Sequence, residues 1–294
     1  MKLHLESISS WSTSCAEKTN KSDGIQQKSS VWPKLEFVPA MQRRRLSPFA
    51  KIALYTAENA LSAPSTLPET SESETPELEM SELEISEKLA QIDIVFSSRH
   101  GDLHKTSALL TDIAAEQDIS PTAFSTSVHN AVPGLYSILK QNKQAINAIS
   151  AGKDSFFYAF VDAYARLKSG RANKLLIVHV DRELPELYSQ FQDEQQVDHA
   201  VAMVVTLTPT PATIANIDIN FSAFSGSEKG AESGDKQGVQ QDTAELNLPA
   251  ALCFINWFDT NLGLTPKIVP KSTLQYTSDR HVWTCDLISG TMDV

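Results

Sequence analysis

Cysteine is scarce in this chain of 294 residues. The three cysteines, Cys15, Cys253 and Cys285, lie far apart, and their number is odd. They show no spacing typical of a metal site, and three isolated thiols do not indicate a disulfide framework. The pattern therefore predicts no metal site and is typical of a protein in a reducing cytoplasm.

Basic residues and long apolar runs are scarce as well. The 25 lysines and arginines are outnumbered by 36 acidic residues, which gives a formal net charge of -11. An acidic chain without a basic stripe is not expected to bind nucleic acid. No segment is apolar enough for long enough to cross a bilayer, and no long apolar run follows a basic region near the N-terminus. We therefore predict neither a membrane span nor a signal peptide.

Changes in composition divide the chain into five segments. Glutamate is concentrated between residues 69 and 87, and a stretch rich in glycine and serine follows residue 224. Polar stretches without an apolar period indicate segments that do not pack. The predicted segments are an N-terminal strand, loose loop and first helix (1–61), an acidic disordered insertion (62–88), a core (89–223), a flexible Gly/Ser loop (224–245), and a C-terminal helix and tail that pack on the core (246–294).

Strands of the buried type alternate with amphipathic helices in the predicted core. Residues 92–96, 144–149 and 175–180 are predicted strands, with helices between them. Residues 217–221 are predicted to form an edge strand, and the tail is predicted to be irregular and anchored by Trp283. This alternation favours an α/β layered sandwich with a mixed sheet and helices on both faces.

Three motifs follow one another in an order that matches a known family. They cover residues 37–47, residues 96–102 (Phe-Ser-Ser-Arg-His-Gly-Asp) and residues 120–134. With the strand and the helix that follow them, they resemble the beta-ketoacyl synthase-like N-terminal domain family, in particular its chain-length-factor-like members from aryl polyene biosynthesis. The resemblance extends from Trp32 to Trp283 and is interrupted by the acidic insertion and the Gly/Ser loop.

The resemblance implies a thiolase-like fold that corresponds to the N-terminal half of a ketosynthase. A ketosynthase carries its nucleophilic cysteine in the turn between a strand and a helix, where this chain has Ser150, Ala151, Gly152 and Lys153. A thiolate accepts an acyl group from a thioester without the help of a strong adjacent base. None of these four residues carries a thiol. The two histidines of the ketosynthase triad are expected in a second half that this chain does not reach. We therefore expect no catalytic residue.

By the same resemblance, the chain is expected to act as a partner subunit. The resemblance implies a heterodimer with a full-length ketosynthase, an apolar docking face, and a role in bounding the partner's acyl tunnel in polyene or fatty-acid-like biosynthesis. An acyl carrier protein is expected to take part indirectly. No cofactor is implied, and a contact with the acyl-phosphopantetheine of the carrier is left open.

The motifs supply candidate interface or structural residues, which are Arg43, Arg44, Arg45, Arg99, His100, Ser127, His129, Asn130 and Gly134. The consecutive arginines are predicted at a helix start, where positive charge is unfavourable, so they either meet an anion or interface or pair with nearby carboxylates. For His129, a ring bonded to a backbone carbonyl is favoured over a base. His100 either bonds across a subunit boundary or is an exposed turn residue. Ser127 or Asn130 is the predicted cap of the next helix.

Two further sets of residues have open alternatives. The acyl-tunnel candidates are aromatic residues whose helical spacing otherwise indicates core packing; they are Phe156, Phe157 and Phe160. Around Ser150, Lys153 and Asp154, a helix cap is favoured over a replacement nucleophile with a lysine activator. The alternative function is an acyltransferase or condensing enzyme active in its own right through Ser150 or Cys253. A stand-alone scaffold that binds a carrier protein or a lipid is the third hypothesis.

Overall fold

The computed structural model describes residues 1–13, 32–62, 91–224, 247–262 and 273–288 of the chain. The strands in these residues are β1 (Lys2–Ser12), β2 (Asp93–Ser97), β3 (Ile146–Ile149), β4 (Lys174–Asp181), β5 (His199–Thr206), β6 (Ala215–Ala223), β7 (Leu274–Thr277) and β8 (His281–Leu287). They form one mixed sheet in the order β3-β2-β4-β5-β1-β6-β8-β7. Strand β2 is parallel to β3 and β4, and the other neighbouring pairs are antiparallel.

Helices cover both faces of this sheet. They are α1 (Ala40–Arg43), α2 (Pro48–Ser62), α3 (Leu103–Ala114), α4 (Pro121–Ser125), α5 (Ala131–Leu139), α6 (Ser155–Lys168), a 3-10 helix (Glu186–Phe191) and α7 (Ala250–Leu262). Helices α6 and α7 pack on one face, and α2 and α5 pack on the other. None of the helices in the described ranges is long and apolar enough to cross a membrane.

The first core, beneath α6 and α7, is rich in aromatic side chains. Phe156, Phe157 and Phe160 of α6 pack with Phe254 of α7 and Trp283 of β8, and all five are at most 1% exposed. The rings of Phe157 and Trp283 stack with their centroids 4.9 Å apart. Burying such a side chain stabilises the fold by roughly 2 kcal/mol, so this cluster fixes α6 on the sheet.

The second core lies on the opposite face of the sheet. Strand β4 is buried on both sides: Leu175 and Ile177 belong to the first core, whereas Leu176, Val178 and Val180 belong to the second. This is the pattern of a central strand covered by helices on both faces. The structure is therefore a layered α/β sandwich with a mixed sheet and helices on both faces, as predicted.

Two local predictions are wrong, both at the C-terminal side of the sheet. Strand β6 is not an edge strand, because it pairs with β1 on one side and with β8 on the other. The tail is not irregular over Leu274–Thr277 and His281–Leu287, where it forms the antiparallel strands β7 and β8. Trp283 is indeed buried, but as part of strand β8. The short alternating runs in the tail carry too few apolar residues to identify these strands without their partner β6.

The predicted acidic insertion (62–88) and Gly/Ser loop (224–245) lie outside the described residues, except for their first residues Ser62 and Phe224. Most of the loose N-terminal loop and Cys15 lie outside them too.

Candidate functional site

The carboxyl ends of β2, β3 and β4 lie at the same end of the sheet because β2 is parallel to both neighbours. Strand β5 is antiparallel to β4, so its first residue His199 lies at this end too, opposite Asp181. In open α/β sheets, ligands bind outside the carboxyl ends of the strands. Polar residues that follow these strands therefore form the candidate site.

Asp181, at the end of β4, organises the turn that follows β2. Its carboxylate accepts hydrogen bonds from the Ser98 hydroxyl (2.7 Å) and from the backbone N–H groups of Arg99 (2.9 Å) and His100 (3.1 Å). Gly101 completes the turn with a φ of +65°, and a Cβ at this position would lie 3.2 Å from the Nδ1 atom of His129. Only glycine adopts this backbone without strain. The turn therefore depends on Asp181 and on Gly101.

Two histidines lie beside this carboxylate in the interior. His179 Nε2 is 3.3 Å from Asp181 Oδ2, and the rings of His179 and His199 are 5.7 Å apart. Burial lowers the pKa of His179 to about 4, so its imidazole is neutral at neutral pH. Burial alone would raise the pKa of Asp181, but the adjacent histidines and the hydrogen bonds from Arg99 and Ser98 lower it overall.

Ser97 gives this cluster the connectivity of a Ser-His-Asp relay. Its hydroxyl lies 2.9 Å from His179 Nδ1, while His179 Nε2 faces Asp181. Nucleophilic catalysis also requires that the substrate reach the serine. Ser97 is 0% exposed within β2, and the ring of Phe156 packs on its partner His179 with the ring centroids 5.4 Å apart. The relay is therefore a structural network.

The turn after β3 is the position at which the family resemblance places the nucleophile of a ketosynthase. The Ser150 hydroxyl donates to the carbonyl of Arg99 at 3.0 Å, so it is bonded to the neighbouring turn. The Lys153 ammonium pairs with Asp193 (3.2 Å) and Asp279 (3.3 Å). Burial would lower the pKa of Lys153, but these two carboxylates raise it overall. Lys153 is therefore protonated at neutral pH and cannot act as the base that would activate Ser150.

Asp154 is the N-cap residue of α6, as predicted, but its carboxylate makes no capping hydrogen bond. It accepts instead from Trp283 Nε1 at 2.7 Å and from His281 Nδ1 at 3.1 Å. The Arg280 guanidinium also donates to the carbonyl of Ala151. Asp154 is 1% exposed, and a buried carboxylate is stabilised by charge-assisted donors such as these. The turn is thereby fixed to β8.

An ionic network joins the turns to the segment after the 3-10 helix. Arg99 pairs with Asp193 (2.9 Å) and Glu194 (3.1 Å), and Asp193 also receives Lys153. Burial would raise the pKa of Asp193, but hydrogen bonds from Arg99 and Lys153 hold it below its usual range. Arg99, from the turn after β2, and Lys153, from the turn after β3, therefore hold the two turns together through Asp193.

The two described thiols do not substitute for a catalytic cysteine. Cys253, on α7, donates to the carbonyl of Leu248 at 3.5 Å, and burial raises the pKa of its thiol. Cys285 is fully buried in β8, and burial raises the pKa of this thiol strongly. A thiol with a raised pKa is a poor nucleophile at neutral pH.

The model of the beta-ketoacyl synthase N-terminal domain family matches residues 11–81 and 78–284, which is most of the chain. The chain belongs to this family. None of the curated proteins compared with it matches.

Solved ketosynthases share the fold of this family member. It is similar to a chain in the complex of the ketosynthase ApeO with its chain length factor ApeC from Xenorhabdus doucetiae, with a TM-score of 0.64 and 21% identity over 97% of this chain and 99% of that chain. A beta-ketoacyl synthase from Burkholderia phymatum STM815 matches with a TM-score of 0.51 and 12% identity, over 76% of this chain and 64% of that chain. These likenesses identify a ketosynthase fold.

The arginine motif of this ketosynthase-like chain does not start a helix. Arg43 lies in the last turn of α1 and Arg44 is its C-cap residue, whereas α2 begins only at Pro48. Pro48 suits a first helical turn, and Ser47 caps it by accepting from the Ala50 N–H at 3.2 Å. The predicted position at a helix start is therefore wrong, and positive charge at the end of α1 is favourable. Within the described ranges, no carboxylate pairs with these arginines.

The other motif residues lie in the turn after β2, before α5 and within α5. His129 Nε2 lies 3.0 Å from the carbonyl oxygen of Ile149, a backbone contact of the kind expected for a structural histidine. His100 is exposed in the turn after β2. Asn130 precedes α5 as its N-cap residue but makes no side-chain cap, and the Ser127 hydroxyl donates to Phe124 instead. Gly134 lies within α5. An interface role for these residues stays a prediction.

The acyl-tunnel candidates Phe156, Phe157 and Phe160 are enclosed by core side chains. Their role in a tunnel stays a prediction.

The sequence analysis did not identify His179, Asp181 and His199 as site residues. The available signal was the polar pair His179 and Asp181 at the end of an otherwise apolar strand.

Proposed function

We propose that the chain is a non-catalytic, chain-length-factor-like subunit. In this proposal it pairs with a β-ketoacyl synthase that carries the catalytic cysteine, stabilises that enzyme, and bounds the tunnel in which an acyl chain grows on an acyl carrier protein. The chain itself needs no cofactor in this role. Any contact with acyl-phosphopantetheine would occur where the two subunits meet.

The turn after β3 is the observation that carries the proposal. Acyl transfer from a thioester needs a reactive thiolate or a serine with an adjacent base. Here Ser150 is bonded to the Arg99 carbonyl, and Lys153 is held as a cation by two carboxylates. A ketosynthase fold with this turn supports a role in which the chain binds another subunit rather than an acyl group.

An apolar surface on α3 and α4 supports the expectation of a partner. Helix α3 has only Leu109 buried, and two of its other apolar side chains, Leu110 and Ile113, are 50% and 51% exposed. Phe124 of the neighbouring α4 is 59% exposed. A group of exposed large apolar side chains on adjacent helices is typical of a protein–protein interface. We call this group the α3–α4 surface.

The sheet edge at β3 supports the same expectation. All four residues of β3 are only partly buried, whereas β2 beside it is buried throughout. In the described part of the chain, β3 pairs with β2 alone. An edge strand exposes unpaired backbone groups, which favours pairing with another chain or covering by one.

Co-expression with a ketosynthase from the same genome tests the proposal. The two chains should co-purify and elute at the mass of a heterodimer or of a multiple of it. A double substitution on the α3–α4 surface, Ile113→Asp with Phe124→Ser, should abolish co-purification. Leu187→Ser, which changes another exposed apolar residue (67% exposed) on the 3-10 helix, is the matched control and should leave it intact.

The length of the product tests the finer part of the proposal. If Phe124 lies at the interface between the subunits, Phe124→Ala should change the distribution of acyl chain lengths that the intact complex releases. Mass spectrometry of the products measures this distribution. A chain that stays monomeric with every ketosynthase offered would contradict the proposal. So would a covalent acyl adduct on Ser150 or Cys253 after incubation with acyl or malonyl thioesters, which would support the acyltransferase instead.

A further inference from the structure

The buried cluster of His179, Asp181 and His199 has the composition of a metal site. One ligand atom from each of the three side chains lies within 4.8 Å of the others. The three residues are between 2% and 5% exposed. They come from the end of β4 and the start of β5, whose antiparallel pairing places Asp181 opposite His199. Two imidazoles and a carboxylate are a ligand set suited to divalent transition metals.

One ring nitrogen of His199 is buried and has no hydrogen-bond partner among the described residues. Its Nδ1 atom lies 2.8 Å from the carbonyl oxygen of Val197 and therefore carries the proton that is donated there. The Nε2 atom on the other side of the ring is buried without a hydrogen-bond partner among the described residues. A backbone carbonyl that fixes the tautomer in this way is the usual outer partner of a metal-binding histidine.

His179 and Asp181 lie beside this histidine. The Ser97 hydroxyl is 2.9 Å from His179 Nδ1, and His179 Nε2 is 3.3 Å from Asp181 Oδ2. A buried nitrogen without a hydrogen-bond partner is unfavourable. A cation among the three side chains would give the His199 nitrogen a partner.

We propose that His179, Asp181 and His199 bind a divalent transition-metal cation, with Zn²⁺ as the best-fitting ion. Zinc accepts imidazole and carboxylate ligands together, and it has no geometric preference of its own that these ligands would need to meet. The 3.3 Å separation of His179 Nε2 and Asp181 Oδ2 is close to the distance between two ligands on one zinc ion. The expectation of no metal rested on cysteine spacing and did not consider these residues.

The proposed ion would have a structural role. Asp181 also holds the turn after β2 through Ser98, Arg99 and His100, so a cation there would connect β4, β5 and that turn. All three ligands are buried, so a substrate has no access to them from solvent in this conformation. The site is thus independent of the proposed pairing with a ketosynthase, and either idea can fail without the other.

Metal analysis of the full chain tests the site. The protein, with its affinity tag removed and with any subunit that accompanies it, is purified from zinc-supplemented cells. A second sample is unfolded with a chelator and refolded with Zn²⁺. After dialysis, elemental mass spectrometry should find about one zinc per chain in both samples. The absence of zinc from both samples would overturn the proposal.

His199→Asn is the informative variant because the Asn amide can still donate to the Val197 carbonyl. It should lower bound zinc by at least about tenfold, whereas His104→Asn, on α3, should leave it unchanged. Retention of the metal by His199→Asn would refute the assignment. If His199→Asn does not fold, the wild-type chain refolded with Co²⁺ gives the answer. A spectrum without a thiolate-to-cobalt band supports these ligands, and a thiolate band or no bound cobalt overturns the site.

Discussion

Asp154→Ala should remove a large part of the stability of the turn after β3. The carboxylate accepts from Trp283 Nε1 at 2.7 Å and from His281 Nδ1 at 3.1 Å, and both donors belong to β8. Asp154 itself is 1% exposed and Trp283 is 0% exposed, so water cannot replace the lost acceptor. The substitution therefore leaves the indole N–H of Trp283 buried without a partner.

The expected cost follows from these contacts. An orphaned buried donor costs about 1–3 kcal/mol, and a hydrogen bond to a charged group contributes about 1.5–3 kcal/mol. The two contributions overlap, and the relief of burying a carboxylate offsets part of them. We expect Asp154→Ala to lower the free energy of unfolding by about 3 kcal/mol. Asp154→Asn keeps one acceptor oxygen and should cost about half as much.

Urea unfolding followed by tryptophan fluorescence measures these differences. Asp279→Ala is the matched control, because Asp279 is a mostly exposed carboxylate that pairs with Lys153 in the same region. This control should change the free energy of unfolding by less than about 1 kcal/mol. If Asp154→Ala costs no more than Asp279→Ala, the hydrogen bonds to β8 do not stabilise the turn as argued.

Acid should act on the same group. Burial would raise the pKa of Asp154, but donors on Ser278, Trp283 and His281 hold it below its usual range. A carboxylate whose pKa is depressed by folding adds stability above its unfolded pKa, and this stability is lost as the pH falls through its folded pKa. The wild-type chain should therefore lose stability more steeply than Asp154→Asn as the pH falls below about 4. Parallel pH profiles of the two proteins would contradict this assignment.

Three further substitutions have expected outcomes in the same unfolding assay. Gly101→Ala should cost about 1–2 kcal/mol more than Gly170→Ala, because both glycines have positive φ but only Gly101 lies close to His129; equal costs would exclude the steric contact. Ala57→Leu should cost about 1–3 kcal/mol by overpacking α2 against the sheet, and an unchanged free energy of unfolding would show that this interface has spare room. Lys153→Met should cost less than about 1 kcal/mol, and the cost should shrink in high salt because its ion pairs are partly exposed; a larger, salt-independent cost would show that Lys153 does more than form these pairs.

The central layers of the fold could be predicted because their signals are local. The apolar runs at 92–96 and 175–180 are the buried strands β2 and β4, and the aromatic face of the helix at Phe156 and Phe160 is the core of α6. Such patterns follow from burial on both faces of a strand or on one face of a helix. The strands β7 and β8 could not be predicted in this way, because their place in the sheet depends on pairing with β6.

The candidate site was harder to predict because side chains distant in sequence build it. The turn of Ser150, Lys153 and Asp154 was recognised, but Asp154 was assigned to a helix cap, its commonest local role. The competing donors on Trp283 and His281 are more than a hundred residues away. No local pattern reports such a contact, and a buried charge-assisted bond is stronger than an exposed cap.

The polar side chains of the turn after β3 are bonded within the chain, and this bonding is the physical basis of the proposed partner role. A nucleophile must keep its reacting atom free for the substrate and have its base unprotonated. In the described residues the Ser150 hydroxyl, the Lys153 ammonium and the Asp154 carboxylate all have partners within the chain. A side chain that is already bonded must lose that partner before it can react. Among the described residues, the α3–α4 surface and the edge of β3 remain exposed, and both are features that another protein chain can cover.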